Sequence, residues 1–154
     1  MGRADPRALA PGAQIRSLMR RLDRATLSTG MAGDSGWPYG SLVMAATDQD
    51  GSPLMLLSDL AEHTVNLKAD PRVCLLFDGT AGLAEPLTGA RASVLGRVEK
   101  IGDERLAERY LRRHPSARMF AGFGDFNFYR VAVERAHIVA GFGKIHWVEA
   151  ADIL

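Results

Sequence analysis

The feature that most constrains the fold is a series of short apolar segments, most of them separated by only a few turn-forming residues. They lie at 25–30, 41–47, 53–58, 72–77, 90–101, 126–133 and 136–141. The second and third flank "DQDG", whose Asp-Gly is a hairpin signal, and the last two are expected to form a closing hairpin. Strands joined mostly by short turns pair antiparallel, and about seven of them in one domain favour a barrel. We therefore predict a mainly β protein, an antiparallel β-barrel with a few α-helices.

Three helices are predicted between these strands. "PGAQIRSLMRRLDR" carries one apolar stripe and should be the first, after a flexible tail over 1–10. The second spans about 60–69 and ends at Asp70-Pro71. The third, "GDERLAERYLRRHP", is capped by Asp103 and stopped by Pro115. Gly96 is expected to form a bulge, and 79–89 a loop. With 154 residues, the chain is predicted to hold a single domain over 11–154.

Charge and composition limit the classes of partner. The net charge is +1, although residues 1–24 hold six arginines against two aspartates. No aromatic residues are interleaved with these arginines, so a solvated basic face is favoured over nucleic-acid binding. The sequence has neither an apolar signal region nor 18 consecutive apolar residues. We expect a cytoplasmic protein with no membrane association, in which Cys74 is a buried, inert thiol.

Motifs for metal binding or covalent catalysis are missing from the sequence. The four histidines are scattered, and neither GxSxG nor GxGxxG occurs. His137 is interpreted as a strand residue and His114 as a charge at a helix C-terminus. No metal site is predicted, and no catalytic acid or base can be named.

The start of the second helix is the best candidate site. Helix N-termini expose N–H groups that bind anions, and Ser58, His63 and Thr64 add side-chain donors there. Asp59 with Glu62 also matches a capping box, in which carboxylates satisfy the same N–H groups. The residues alone favour capping over phosphate binding, and both interpretations stay open.

Longer segments resemble one known family. "WPYGSLVMAATDQDGSPLMLLSDLAEHTVNLKADPRVCLLF" is similar to the core of the pyridoxamine-5′-phosphate-oxidase-like FMN-binding split barrels, in the branch related to split-barrel haem oxygenases. "EPLTGARASVLGRVEKI", "RYLRRHPSA", "DFNFYRV" and "GFGKIHW" extend the resemblance over about 14–148. It implies a six- or seven-stranded antiparallel split β-barrel that forms a homodimer with FMN at the interface.

The resemblance also implies a set of cofactor-binding residues. Transferred by position, they are Ser41, Leu42 and Val43 along the flavin ring and ribityl chain, Ser58, His63, Thr64 and Asn66 at the phosphate, and Arg91 as a polar contact to the flavin. The Arg and Lys that the family's oxidase places around the phosphate are replaced here by Glu62 and His63.

Three functions remain open at this point. The first is an FMN-dependent oxidoreductase acting on an unknown small-molecule substrate, in which Arg91 would favour the reduced, anionic flavin. The second is a haem-binding or haem-degrading protein, and the third is a non-enzymatic flavin binder.

Overall fold

The computed structural model describes residues 9–141 and 143–154. The helices are α1 (Pro11–Arg21), α2 (Glu62–Ala69), α3 (Glu104–Arg113), α4 (Arg118–Ala121) and α5 (Ala150–Ile153). The strands are β1 (Arg24–Gly30), β2 (Pro38–Met44), β3 (Ala46–Thr47), β4 (Pro53–Ser58), β5 (Arg72–Asp78), β6 (Arg91–Ile101), β7 (Phe126–Val139) and β8 (Ile145–Glu149). Most of the tail predicted over 1–10 lies outside the described residues.

All of the strands belong to one antiparallel sheet in the order β2-β1-β5-β6-β7-β4-β3, with β8 also paired to β7. The two strands at the ends of this order, β2 and β3, are separated in the chain by Ala45 alone. The ends of the sheet must therefore approach each other, so the sheet curls. The predicted mainly β, split-barrel architecture is confirmed, with eight strands among the described residues in place of six or seven.

Alternating burial builds the core. Inward positions of the strands, such as Leu27, Leu75, Val94 and Val131, are fully buried, and α1 adds the apolar stripe predicted for it. Gly96 lies at the predicted bulge, where the register of β6 against β7 shifts. A Cβ there would lie 2.3 Å from the carbonyl oxygen of Ala132, so the strands approach too closely for a side chain.

The closing hairpin predicted within 126–141 is wrong. Residues Phe126–Val139 form one continuous strand, and the hairpin partner is β8, which the sequence reasoning missed. The long strand pairs with β4 through its first half and with β8 through its second half, while β6 follows it along the other edge. A strand with neighbours along its whole length has no need to turn at Glu134 and Arg135.

Other local predictions have mixed outcomes. The "DQDG" hairpin and the Asp103 cap are confirmed, since β3 pairs with β4 and Asp103 accepts from the Arg105 N–H at 2.8 Å. His114 lies at the C-terminus of α3, as predicted, and it is buried there with its Nε2 bonded to the Ala45 carbonyl at 2.7 Å. Its predicted role as a charge stays a prediction. Cys74 lies on the outward face of β5 and is only partly buried, so its predicted place in the core is also wrong.

Within the described part of the chain, no helix has the length and apolarity needed to span a membrane.

Candidate functional site

The start of α2 is not capped by a side chain. The helix begins at Glu62, and Ala61 occupies the capping position. The predicted Asp59–Glu62 capping box is wrong, because the Asp59 carboxylate accepts hydrogen bonds from Lys68 Nζ at 3.1 Å and from Asn127 Nδ2 at 3.2 Å. The backbone N–H groups of Glu62 and His63 consequently have no partner among the described residues.

His63 is held against β2 by a side-chain hydrogen bond. Its Nδ1 lies 2.9 Å from Ser41 Oγ, and its Nε2 has no hydrogen-bond partner among the described residues. Burial lowers the pKa of the imidazole below its usual 6.5. Near neutral pH the ring is therefore uncharged. When Nδ1 carries the proton and donates it to Ser41, the lone pair on Nε2 is left free.

Two further predicted residues lie inside the protein. Asn66 is fully buried, where its Oδ1 accepts from the Ala32 N–H at 2.9 Å and its Nδ2 donates to Thr29 Oγ1 at 3.1 Å. These bonds tie α2 to β1 and to the connection between β1 and β2. Thr64 is also fully buried, and its hydroxyl has no hydrogen-bond partner in the part of the chain that the structure describes. A ligand can reach either side chain only if the start of α2 shifts, so their contact with a cofactor stays a prediction.

The charges around this helix start are mainly negative. Ser58 Oγ donates to Asp125 Oδ2 at 2.9 Å and accepts from the Leu60 N–H at 3.1 Å. Of the nearby ammonium groups, that of Lys68 is paired with Asp59, and that of Lys100 is close enough to help lower the pKa of the Asp59 carboxyl. A phosphate here would therefore meet backbone N–H donors in a setting of several carboxylates.

The remaining predicted residues are separate from this group. Val43 points into the core, whereas Leu42, the next residue of β2, faces outward and is 68% exposed. Arg91 Nη1 donates to the carbonyls of Leu87 and Gly89 at 2.9 and 3.2 Å, which braces the loop before β6. The structure thus joins Ser41 to His63, places Thr64 and Asn66 on the same helix as His63, and puts Leu42 and Arg91 on the outer face of the sheet.

An outward-facing row of side chains crosses the sheet from β2 to β8. Register places its members side by side, in the order Leu42, Thr26, Leu76, Ser93, His137 and Trp147. Trp147 is 59% exposed, and its ring contacts the His137 ring at a centroid distance of 4.8 Å. Sequence reasoning missed this surface because it did not identify β8. The alternation of "KIHWVE" was the signal that could have found it.

The comparisons with known proteins agree with this geometry. The family model described as "CREG, beta-barrel" matches residues 7–153. The chain belongs to the CREG β-barrel family. This membership confirms the resemblance to the pyridoxamine-phosphate-oxidase-like split barrels. A solved putative pyridoxamine 5′-phosphate oxidase from Listeria innocua has the same fold. It superposes with a TM-score of 0.64 at 20% identity, and the match covers 84% of this chain and 98% of that one.

Two other relatives of this CREG-family chain carry names that refer to haem. The chain is 35% identical over 136 residues to the non-canonical heme oxygenase HOZ, chloroplastic, of Arabidopsis thaliana, a match that covers 86% of this chain and 41% of HOZ. A heme-binding protein from Mycobacterium smegmatis superposes with a TM-score of 0.86 at 25% identity, covering 94% of this chain and 60% of that one. The chain thus spans about two-fifths of the curated relative and three-fifths of the solved one.

Proposed function

We propose that the chain binds haem and that His63 is the side chain that reaches the iron. The observation that carries the proposal is the state of this histidine: an uncharged imidazole with Nδ1 held by Ser41 and Nε2 without a partner in residues 9–141 and 143–154. Histidines that ligate metals commonly donate their other ring N–H to a fixed oxygen, which sets the tautomer and the ring orientation. Ser41 supplies that oxygen.

Haem suits this chain better than a bare metal ion. Within residues 9–141 and 143–154, no group of three or more His, Cys, Asp or Glu side chains could hold an ion. Haem brings four nitrogen ligands of its own and needs only one or two from the protein. A single oriented histidine is sufficient.

The relatives support the same proposal. HOZ and the M. smegmatis protein, the two described above at 25% identity or more, are named for haem degradation and haem binding. Oxidative breakdown of haem is the reaction that we propose such binding would serve here. The haem group would supply the redox chemistry, while Ser41 would keep the His63 ring oriented.

FMN is the second candidate, and the uncapped start of α2 favours it. The free N–H groups of Glu62 and His63 could bind the flavin phosphate, as the sequence resemblance implies. The carboxylates of Asp59, Glu62 and Asp125 near this helix start, with no arginine beside them, oppose it. The sequence-predicted flavin contacts of Leu42, Val43 and Arg91 belong to this candidate, as does an oxidoreductase with a small-molecule substrate.

We also propose that the chain forms a homodimer through the outer face of the sheet. Split-barrel proteins are commonly dimeric, and this face exposes large apolar side chains at both of its ends. Leu42 lies on β2, and Ile145 and Trp147 lie on β8, all more than half exposed. Large exposed apolar side chains on one face of a sheet are typical of protein–protein interfaces.

The test of the cofactor is an absorbance spectrum of the purified protein, followed by titration of the cofactor-free protein with hemin and with FMN. We expect a sharpened and shifted Soret band that saturates at one haem per chain, and weak or no quenching of FMN fluorescence. Saturable FMN binding without a Soret change would establish the flavin candidate and overturn the haem proposal.

A further inference from the structure

A surface cleft lies on a different part of the molecule, between the C-terminal ends of α1 and α3. Its volume is about 450 Å³, within the range of small-molecule sites. Four arginines line it: Arg20, Arg109, Arg112 and Arg113. Its floor is mainly apolar and is formed by Leu22, Ala45, Ala46 and Thr47. We call this the arginine cleft. None of its lining residues belongs to the cofactor site proposed above.

Carboxylates near the arginine cleft are engaged by arginines outside it. Asp23 pairs with Arg24 at 2.7 Å, Asp48 accepts from Arg105 at 3.3 Å, and Glu108 accepts from Arg118 at 2.6 Å. The nearest carboxylate contact of a cleft arginine is 4.0 Å, between Arg112 Nε and Glu108 Oε1. The carboxylates of Asp23, Asp48 and Glu108 still attract Arg113, Arg109 and Arg112 at longer range. Among the described residues, however, none of them makes a contact shorter than 4.0 Å with a cleft arginine.

Backbone carbonyls hold three of these arginines in place. Arg20 donates to Gln49 O at 2.8 Å, Arg109 donates to Thr47 O, and Arg113 donates to Arg21 O at 3.4 Å. A guanidinium group has five N–H donors, so each retains unused donors for a ligand. Arginines that are already positioned lose little freedom when an anion binds.

Compensation of helix dipoles explains only part of this charge. Arg20 lies in the last turn of α1, and Arg112 and Arg113 lie in the last turn of α3. Two helix ends together carry roughly one negative charge. The four arginines exceed this, so the arginine cleft keeps a positive potential.

We propose that the arginine cleft binds a small nucleotide-class anion, with its phosphates on the guanidinium groups and its ring on the apolar floor. Arginine forks match phosphate oxygens two at a time. Partly exposed Leu22, with the small accessible edge of Ala46, provides the apolar contact that inorganic phosphate would not need. No covalent step is involved.

Calorimetric titration of the wild-type protein with ADP, inorganic pyrophosphate and adenosine tests the proposal. ADP should bind most tightly, pyrophosphate more weakly and adenosine not measurably. Arg112→Gln is the informative variant, because the Arg112 side chain is 78% exposed and contributes little to the fold. Loss of one charge-assisted pair should weaken ADP binding about tenfold.

Arg97→Gln is the matched control. Arg97 is an exposed arginine of β6 that bonds Glu134 at 3.0 Å, and its loss should leave ADP binding unchanged. The proposal is overturned if ADP does not bind, if both variants bind it like wild type, or if both lose affinity equally. It is also overturned if a single-stranded oligonucleotide binds more tightly than ADP and loses affinity in Arg112→Gln, because the arginines then serve a nucleic acid.

Discussion

Replacing Asn66 by alanine should destabilise the cofactor-free protein. The side chain is fully buried and pairs two groups at once, the Ala32 N–H at 2.9 Å and the Thr29 hydroxyl at 3.1 Å. Leaving a buried polar group unpaired costs about 1–3 kcal/mol. Because the hydroxyl can rotate and the Ala32 amide is only partly buried, we expect a total loss of about 2–4 kcal/mol. At about 2–4 °C per kcal/mol for a chain of this size, that is a fall in Tm of roughly 4–16 °C.

Urea denaturation at a fixed protein concentration measures this loss without ligand. Val65→Ala is the matched control, since Val65 lies on the same helix and is 48% exposed, and it should change stability by no more than about 0.5 kcal/mol. Thr29→Val combined with Asn66→Ala should cost less than the sum of the two single changes, because the two side chains bond each other. If Asn66→Ala unfolds at the wild-type urea midpoint with an unchanged slope, Asn66 does not tie α2 to the sheet. A role confined to cofactor binding would then account for it.

Three further predictions concern the outer face, the thiol and the histidine. By analytical ultracentrifugation at micromolar concentration, wild type should be a dimer and Leu42→Arg a monomer. Leu60→Arg, also at an exposed leucine, should stay dimeric. A monomeric wild type would contradict the proposed interface. Burial raises the pKa of the Cys74 thiol, so little thiolate forms near neutral pH. Modification of the thiol by an aromatic disulfide reagent should therefore be slow at pH 7 and become faster as pH rises. Rapid reaction at pH 7 in the folded protein would refute this prediction. Because the pKa of His63 is lowered in the folded state, the unfolded chain binds a proton at this residue more readily than the folded chain does. His63 should therefore make the free energy of unfolding fall as pH drops below about 6.5. His63→Gln should flatten that part of the stability profile, and a profile identical to wild type would contradict the assignment.

The sequence predicted the strands best where alternation and turn signals coincided. The "DQDG" hairpin, the Gly96 bulge and the Asp103 cap each depend on a few neighbouring residues, and each is confirmed. The β7–β8 pairing depends on which strands lie beside Phe126–Val139 in space. Local pattern therefore suggested a turn where the chain continues straight.

The candidate site was less predictable from sequence than the fold. Asp59 and Glu62 have capping-box spacing, but Lys68 and Asn127 draw the Asp59 carboxylate away from the helix start. The resemblance predicts Asn66 as a ligand contact, while the structure uses it as a buried link to β1 and to Ala32. The Ser41–His63 pair joins residues that are far apart in sequence, and no motif encodes their 2.9 Å contact.

Titration of His63→Ala with hemin tests the central proposal most directly, with His146→Ala as the control. His146 is an exposed histidine of β8, outside the Ser41–His63 pair. We expect His146→Ala to bind hemin like wild type. His63→Ala should lose the wild-type Soret maximum and bind at least tenfold more weakly, and added imidazole should restore the band. Wild-type spectrum and affinity in His63→Ala would show that this histidine does not hold haem.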